Sequence, residues 1–500
     1  MTEEASSYRQ ILRATSIIGG ATIGSILIGL VRTKIFSLVI GPAGIGLMGV
    51  LNSIMMTGAV LAGAGLGTSG VREVAAADAK DDSAAAVRVR VALWSLTWML
   101  ALAGALTLWV LREPLARFAA VGTEHAGLVG WLSIGLLLSV VAASQSAVLQ
   151  GYRRIADIGR IKLYGAIIAA VLGIVAIAVD AYAGIALALI AIPLGSVLVA
   201  LWCGRRLPAL GSSKVTARQV KAEWTPLLTL GLGVMAWTLI SQVTQLGVRA
   251  IIVDETSLDE AGLFQAAWMT STNYIGLVLG AMSADYLPRL SALDRSPETQ
   301  KLVDHQLHVA LLLSLPLIAV LIAAAPLALT VLYSSAFTEA ASLLRWQLAG
   351  DFLKIAGWAV GFVLLARKDM VVFLLAEAAL SLVYICGVGL LLPRIGLQGA
   401  GVAYFGAYLL YLGWISILSL RRHRIVISRG NWSIIAVALP ALLVLIGASY
   451  ISEAIVLVTG AAIAAAFTFT ALRQLGSSAG ISSRILASRG YGSGNDLPSE

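Results

Sequence analysis

The sequence predicts an all-α polytopic membrane protein: two pseudo-symmetric six-helix bundles around a central cavity, with two further helices at the C-terminal end. Three observations lead there. Mean hydropathy is +0.90, with 59% hydrophobic and only 12% charged residues among 500, whereas a soluble chain carries about 25% charged residues. Apolar stretches of the roughly 20 residues that a bilayer-crossing helix needs recur along most of the chain. The later spans also echo the earlier ones at a fixed offset. Barrel strands are excluded, because the apolar runs are continuous and do not alternate with a period of two.

Fourteen stretches can be placed, at about 11–40, 44–70, 89–111, 126–150, 160–179, 182–204, 224–253, 259–286, 303–332, 338–365, 370–392, 396–420, 433–452 and 454–472. The first follows Arg13 as the core of a secretory leader would, but it runs too far without a cleavage site and is expected to stay as helix. Gly41-Pro42 separates it from the second. Only Ser452 and Glu453 divide the last two, which leaves open a single broken or re-entrant element. Cys203 and Cys386 fall in different spans and are expected to serve as apolar filler. The domains expected are an N-terminal lobe at 1–222, a C-terminal lobe at 223–425, an extra helix pair at 426–475 and a disordered Gly/Ser-rich cytoplasmic tail at 476–500.

Charge fixes the expected orientation. With the N-terminus inside, only Arg112, Arg117 and Arg394 of the 35 Lys and Arg fall outside, so both termini are expected in the cytoplasm. Clusters such as Arg205/Arg206/Lys214/Arg218/Lys221 and Arg421/Arg422/Arg424/Arg429 account for the net charge of +9. They are expected to face anionic membrane lipids, and no nucleic-acid partner is expected.

The repeat emerges when spans one to six are laid on spans seven to twelve at an offset near 217. Val31-Arg32 then meets Val248-Arg249, Gly44-Ile45 meets Gly262-Leu263, and Arg205-Arg206 meets Arg421-Arg422. Leu149-Gln150-Gly151-Tyr152-Arg153-Arg154 falls near Leu364-Leu365-Ala366-Arg367-Lys368. Six helices preserve orientation, so the halves are parallel repeats, an arrangement in which transporters place a pathway between the halves.

Polar stripes mark that pathway. In the first span Thr15, Gly19, Thr22, Ser25, Gly29 and Arg32 share a face at helical spacing, while Lys34 is rotated off it and is expected to snorkel outward. The seventh span repeats the device with Thr238, Ser241, Gln242, Gln245 and Arg249, whose charge is expected to reach Asp254 or Glu255. The tenth carries Gln347, Asp351, Lys354 and Trp358 on one face, where Asp351 can pair locally with Lys354 or stay open for a functional role. The eighth adds Gln265 and Asn273, and the eleventh a lone carboxylate, Glu377. A charge at mid-membrane costs about 2.5 to 3.5 kcal/mol and faces a bundle interior or wet cavity. Arg32, Arg249 and Lys354, lining a hydrated chamber, would prefer an anion. Arginine suits phosphate because its fork offers parallel donors. Trp358 could stack on a sugar ring, although interface anchoring and plain helix packing are the blander readings of the aromatics and of the small polar stripes.

These features together resemble the O-antigen and polysaccharide repeat-unit flippases of the multidrug/oligosaccharidyl-lipid/polysaccharide exporter superfamily. The likeness covers about residues 8–425. It rests on the long first helix with Arg32, Ile40 to Ser53 (IGPAGIGLMGVLNS) opening the second, the LQGYRR turn after the fourth, and the two six-helix halves. It implies a bacterial inner-membrane protein that carries an undecaprenyl-diphosphate-linked oligosaccharide outward by alternating access. It also implies Arg32 and Arg249 on the diphosphate, coupling to an ion gradient, no cofactor and no catalytic residue. A polysaccharide polymerase and a chain-length regulator are the protein partners it suggests. The usual family count is twelve spans, so the two extra helices depart from it and resemble lipid-II flippases.

Three rivals stay open: a lipid-II-type flippase, an integral-membrane enzyme of glycan assembly, and a drug/cation antiporter of the same superfamily. Asp78, Asp81 and Asp82 could be offered as a metal-diphosphate site, but a charge run of this kind is usually a solvated loop. Asp304, His305 and His308 lack a further ligand for a metal. GLGTSG at 65–70 fits a glycine fingerprint but has no preceding strand. An antiporter pocket would be acidic and aromatic, whereas the deep charges here lean basic.

Overall fold

The computed structural model describes residues 2–79, 83–207, 216–293 and 297–489. Among these residues every regular element is a helix. The helices are α1 (Thr2–Gly63), α2 (Leu66–Asp78), α3 (Ser83–Val110), α4 (Arg112–Phe118), α5 (Ala126–Gly151), α6 (Ile155–Val179), α7 (Ala183–Gly204) and α8 (Ala217–Glu255). They continue as α9 (Leu258–Ala292), α10 (Pro297–Ala323), α11 (Ala325–Leu332), α12 (Ala341–Ala366), α13 (Met370–Ile395), α14 (Gln398–His423), α15 (Arg429–Ser449) and α16 (Glu453–Arg489). Twelve helical runs among the described residues are long and apolar enough to cross a membrane. The chain is therefore an all-α, multi-pass membrane protein.

The first of those runs, Ile18–Asp78, joins two of the expected spans. They meet at Gly41, where φ is 63° and ψ −170°. Glycine alone adopts that geometry freely, and Pro42 next to it has no N–H to continue the hydrogen-bond ladder. At the other end, α15 and α16 are two helices, with Ser452 between them. α16 runs on to Arg489, and residues 490–500 lie outside the described residues. Extending an existing helix costs far less than nucleating one, which lets a weak helical sequence follow a strong one. Residues 80–82 of the acidic run also lie outside.

The internal repeat extends to backbone detail. After α5, Arg154 N donates to Leu149 O and Arg153 N to Gln150 O, both at 2.9 Å. After α12, Asp369 N donates to Leu364 O at 2.9 Å and Lys368 N to Leu365 O at 3.1 Å. Both ends place a basic residue in the left-handed region, Arg153 at φ 54° and Lys368 at φ 63°. Glycine is the usual occupant of that position, and a cation there faces the negative end of the helix dipole.

The chain divides into two compact units. The first comprises Met1–Met269, Pro326–Ala341 and Glu377–Ala403. Its core is packed by Leu47, Val50, Leu51, Ile54 and Met55 of α1 against Leu132 and Leu136 of α5 and Ile185 and Leu189 of α7. Two backbone crossings tie the repeats together here. A Cβ on Gly46 would lie 2.0 Å from Leu258 O, and one on Gly262 would lie 2.0 Å from Pro42 O. Gly65 and Gly231 meet in the same way, with a Cβ on either placed 2.1 or 2.2 Å from a facing carbonyl oxygen. Only glycine permits so close an approach.

The second unit comprises Thr270–Ala325, Ser342–Ala376 and Tyr404–Glu500. Here α10 packs against both α15 and α16. Arg345, with a side chain 4% exposed, holds Glu453 at the start of α16 through paired bonds of 3.0 and 2.5 Å. Asp304 accepts from Ser428 N at 3.1 Å, and His308 Nδ1 meets Asn431 Oδ1 at 3.0 Å. The Asp304/His308 pair thus fastens the linker to α15, and among the described residues no group of three His, Cys, Asp or Glu could hold a metal.

Candidate functional site

In the first unit, helix spacing delivers Gln245 and Arg249 to one face of α8, and Gln265 meets them from α9. Arg249 Nε and Nη2 donate to Gln265 Oε1 at 3.0 and 2.6 Å, and Nη1 donates to Gln245 Oε1 at 2.8 Å and to Gln245 O at 3.1 Å. Its guanidinium carbon also lies 5.6 Å from the Phe264 ring centroid. Arg249 is buried, 5% exposed. The expected reach to Asp254 or Glu255 is not made, because burial beside two amides gives the fork nearer acceptors. Neutral oxygens satisfy the donors but leave the positive charge uncancelled.

Arg32 is half-buried on α1, with its carbon 5.8 Å from the Phe36 ring. Its Nε has no hydrogen-bond partner, and no carboxylate pairs with it among the described residues. Ser25, two stripe positions away, turns its hydroxyl back to Thr22 O at 2.8 Å. Lys34 Nζ donates to Thr330 O, in the last turn of α11, at 2.7 Å. The last carbonyls of a helix lack intrahelical partners and attract a cation. Gln242 is half-buried beside this stripe with no side-chain hydrogen bond among the described residues, and Glu377 is half-buried on α13.

In the second unit, Asp351 of α12 is fully buried. Ser271 Oγ donates to its Oδ2 at 2.5 Å and Tyr404 Oη to its Oδ1 at 2.8 Å. Lys354 Nζ reaches the same Tyr404 oxygen at 3.5 Å and lies 5.6 Å from the Tyr408 ring. The local Asp351–Lys354 pair that the spacing allows is therefore replaced by a bridge through Tyr404, because that phenol stands between them. Gln347, one turn before Asp351, is buried with neither amide atom bonded. Asn273 is half-buried on α9. Trp358 belongs to an apolar cluster, its ring 4.2 Å from Phe362 and 5.9 Å from Tyr286.

Sequence reasoning missed Ser271 and Tyr404. The signal for the second was present: Tyr404, Tyr408 and Tyr411 follow at steps of four and three, one face of α14.

The fold is that of a polytopic membrane protein in which Arg32 and Arg249 lack a carboxylate partner among the described residues. Residues 35–342, more than half of the chain, match the family described as polysaccharide biosynthesis protein. The chain belongs to that family. It is 24% identical over 412 residues to the lipid III flippase of Escherichia coli (strain K12), covering 80% of this chain and 96% of that one, and equally to the lipid III flippase of Shigella flexneri. Among solved structures, the inward-facing conformation of a multidrug resistance MATE family transporter of the MOP superfamily superposes with a TM-score of 0.71 at 17% identity, covering 80% of this chain and 94% of that one. The lipid II flippase MurJ, in an inward closed conformation, gives 0.70 at 15%, covering 92% of this chain and 99% of that one. These likenesses establish the fold.

Proposed function

We propose that the protein moves a polyprenyl-diphosphate-linked oligosaccharide, an O-antigen or exopolysaccharide repeat unit, from the cytoplasmic to the periplasmic leaflet of a bacterial inner membrane. The observation that carries this reading is the Arg249 guanidinium, buried and bonded only to neutral oxygens, with one Nη2 hydrogen left over. An uncompensated cation at that depth is costly unless an anion visits it. Arg32 adds a second charge without a carboxylate, and a diphosphate accepts forked donors well. Two curated relatives named as lipid III flippases support a lipid-linked sugar as cargo. In this reading Gln242, Gln245, Asn273, Trp358 and Ser25 line the path, Lys354 adds positive charge, and both termini lie in the cytoplasm. The repeats form two six-helix lobes at 1–222 and 223–425 around a central cavity, with an extra pair completing fourteen spans.

Coupling to an ion gradient is assigned to Asp351, with Glu377 as the second carboxylate. Asp351 has two hydroxyl donors and an unsatisfied glutamine one turn away, a setting that suits uptake of a proton or small cation. A lipid-II-type cargo is the second reading, favoured by the 92% of this chain that the MurJ likeness covers.

Complementation tests the proposal. Cells lacking the protein should accumulate the lipid-linked unit on the cytoplasmic leaflet and lose surface glycan, and Arg32→Ala with Arg249→Ala should fail to restore it. Loss of synthesis of the unit itself would point to an enzyme instead.

A further inference from the structure

At the Arg-rich end of the second unit, the start of α10, the turn after α12 and the end of α14 enclose a cavity of ≈ 770 Å³. Arg367, Arg421, Arg422 and Arg424 all line it. No carboxylate of the described residues lines it, and two near its rim are engaged elsewhere: Asp369 is bonded to His423 Nε2 at 2.7 Å, and Asp304 accepts from Gln300 at 2.8 Å and from Ser428 N at 3.1 Å. Among the described residues Arg421, Arg422 and Arg424 make no ion pair. Like charges gathered in a concavity raise the local potential and attract a counter-ion.

The rim is held in place. Arg367 Nη1 donates to Leu293 O at 2.7 Å and Nη2 to Thr299 Oγ1 at 3.1 Å. Gln300 pairs in both directions with the backbone of Val426, at 3.0 Å from its N–H and 2.6 Å from its carbonyl. That pairing fixes the linker carrying Arg424, whose φ of 57° is left-handed. Ile425 and Val426 supply an apolar wall.

Depth selects the ligand. The three membrane-crossing runs Pro297–Ala323, Ser335–Ala366 and Gln398–His423 all begin or end at this cavity, so it lies where helices leave the hydrocarbon and lipid phosphates begin. The repeat supplies a second instance: Arg205, the counterpart of Arg421, lines its own cavity of ≈ 530 Å³ with Arg90 and Trp94. We propose that the cavity between α10, α12 and α14 binds the phosphate of an anionic phospholipid headgroup. This proposal does not depend on the cargo assigned above.

Native mass spectrometry of the purified full-length protein tests it, with dioctanoyl phosphatidylglycerol, dioctanoyl phosphatidylcholine and inorganic phosphate as probes. The protein should retain phosphatidylglycerol in preference to phosphatidylcholine. The combination Arg421→Gln, Arg422→Gln and Arg424→Asn should weaken that retention at least tenfold. Arg112→Gln, Arg117→Gln and Arg394→Gln, an equal loss of charge outside the basic clusters, should leave it unchanged. Unchanged retention in the first variant, or equal weakening in the second, would overturn the site. Displacement by inorganic phosphate at equal concentration would overturn its assignment to a lipid.

Discussion

Gln245 and Gln265 hold the Arg249 guanidinium through uncharged oxygens, so position and charge are set independently there. Arg249→Ala should therefore do two things. It strands two half-buried amides, costing about 1 kcal/mol of stability, and it abolishes transport; thermal unfolding beside a transport assay separates the two. Arg249→Lys keeps the charge but loses the fork, and should retain partial transport at most. Arg32→Ala should lower transport with little change in unfolding temperature, since Arg32 is half-buried and its Nε is already unbonded. At Asp351, replacement by Asn keeps the shape and removes the ionisable group. Transport by Asp351→Asn should stop responding to an imposed proton or sodium gradient, and an undiminished response would remove Asp351 from coupling. The arginines were legible because charge inside an apolar run is conspicuous. Their partners were less so: an amide on a neighbouring helix has no fixed sequence distance from the arginine it serves, and Tyr404 is 53 residues from the aspartate it touches.

At the scale of the element, helix positions followed directly from the apolar runs, and the Gly41-Pro42 break fell where chain geometry required it. The crossings did not announce themselves. Fifty glycines occur in this chain, and only packing distinguishes Gly46 and Gly262, pressed on backbone carbonyls, from Gly29, which has nothing within 4 Å. Gly262→Ala should cost about 1 to 3 kcal/mol from overpacking, whereas Gly29→Ala should be neutral or slightly stabilising. Unfolding midpoints of the two variants check this, and equal midpoints would contradict the crossing. Similarly, Glu453→Gln leaves the buried Arg345 without its carboxylate and should cost about 2 kcal/mol, read as earlier proteolysis of α16.

For the whole molecule, the account comes down to a membrane transporter whose deep arginines await an anionic headgroup. The repeat was visible from sequence in a few dipeptides, and the matched helix ends at Arg153 and Lys368 give it a physical basis, because the same backbone turn ends the same helix twice. The tail beyond the last span was harder to read, since polar composition alone does not distinguish a disordered segment from a solvated helix continuing a stable one. The cargo is the claim with most consequence, and reconstitution reaches it directly. Purified protein in liposomes should move a labelled polyprenyl-diphosphate oligosaccharide between leaflets, with the rate falling at least tenfold in Arg32→Ala combined with Arg249→Ala. Equal rates in wild type and the double variant, or movement of lipophilic cations in place of the lipid-linked sugar, would contradict the account.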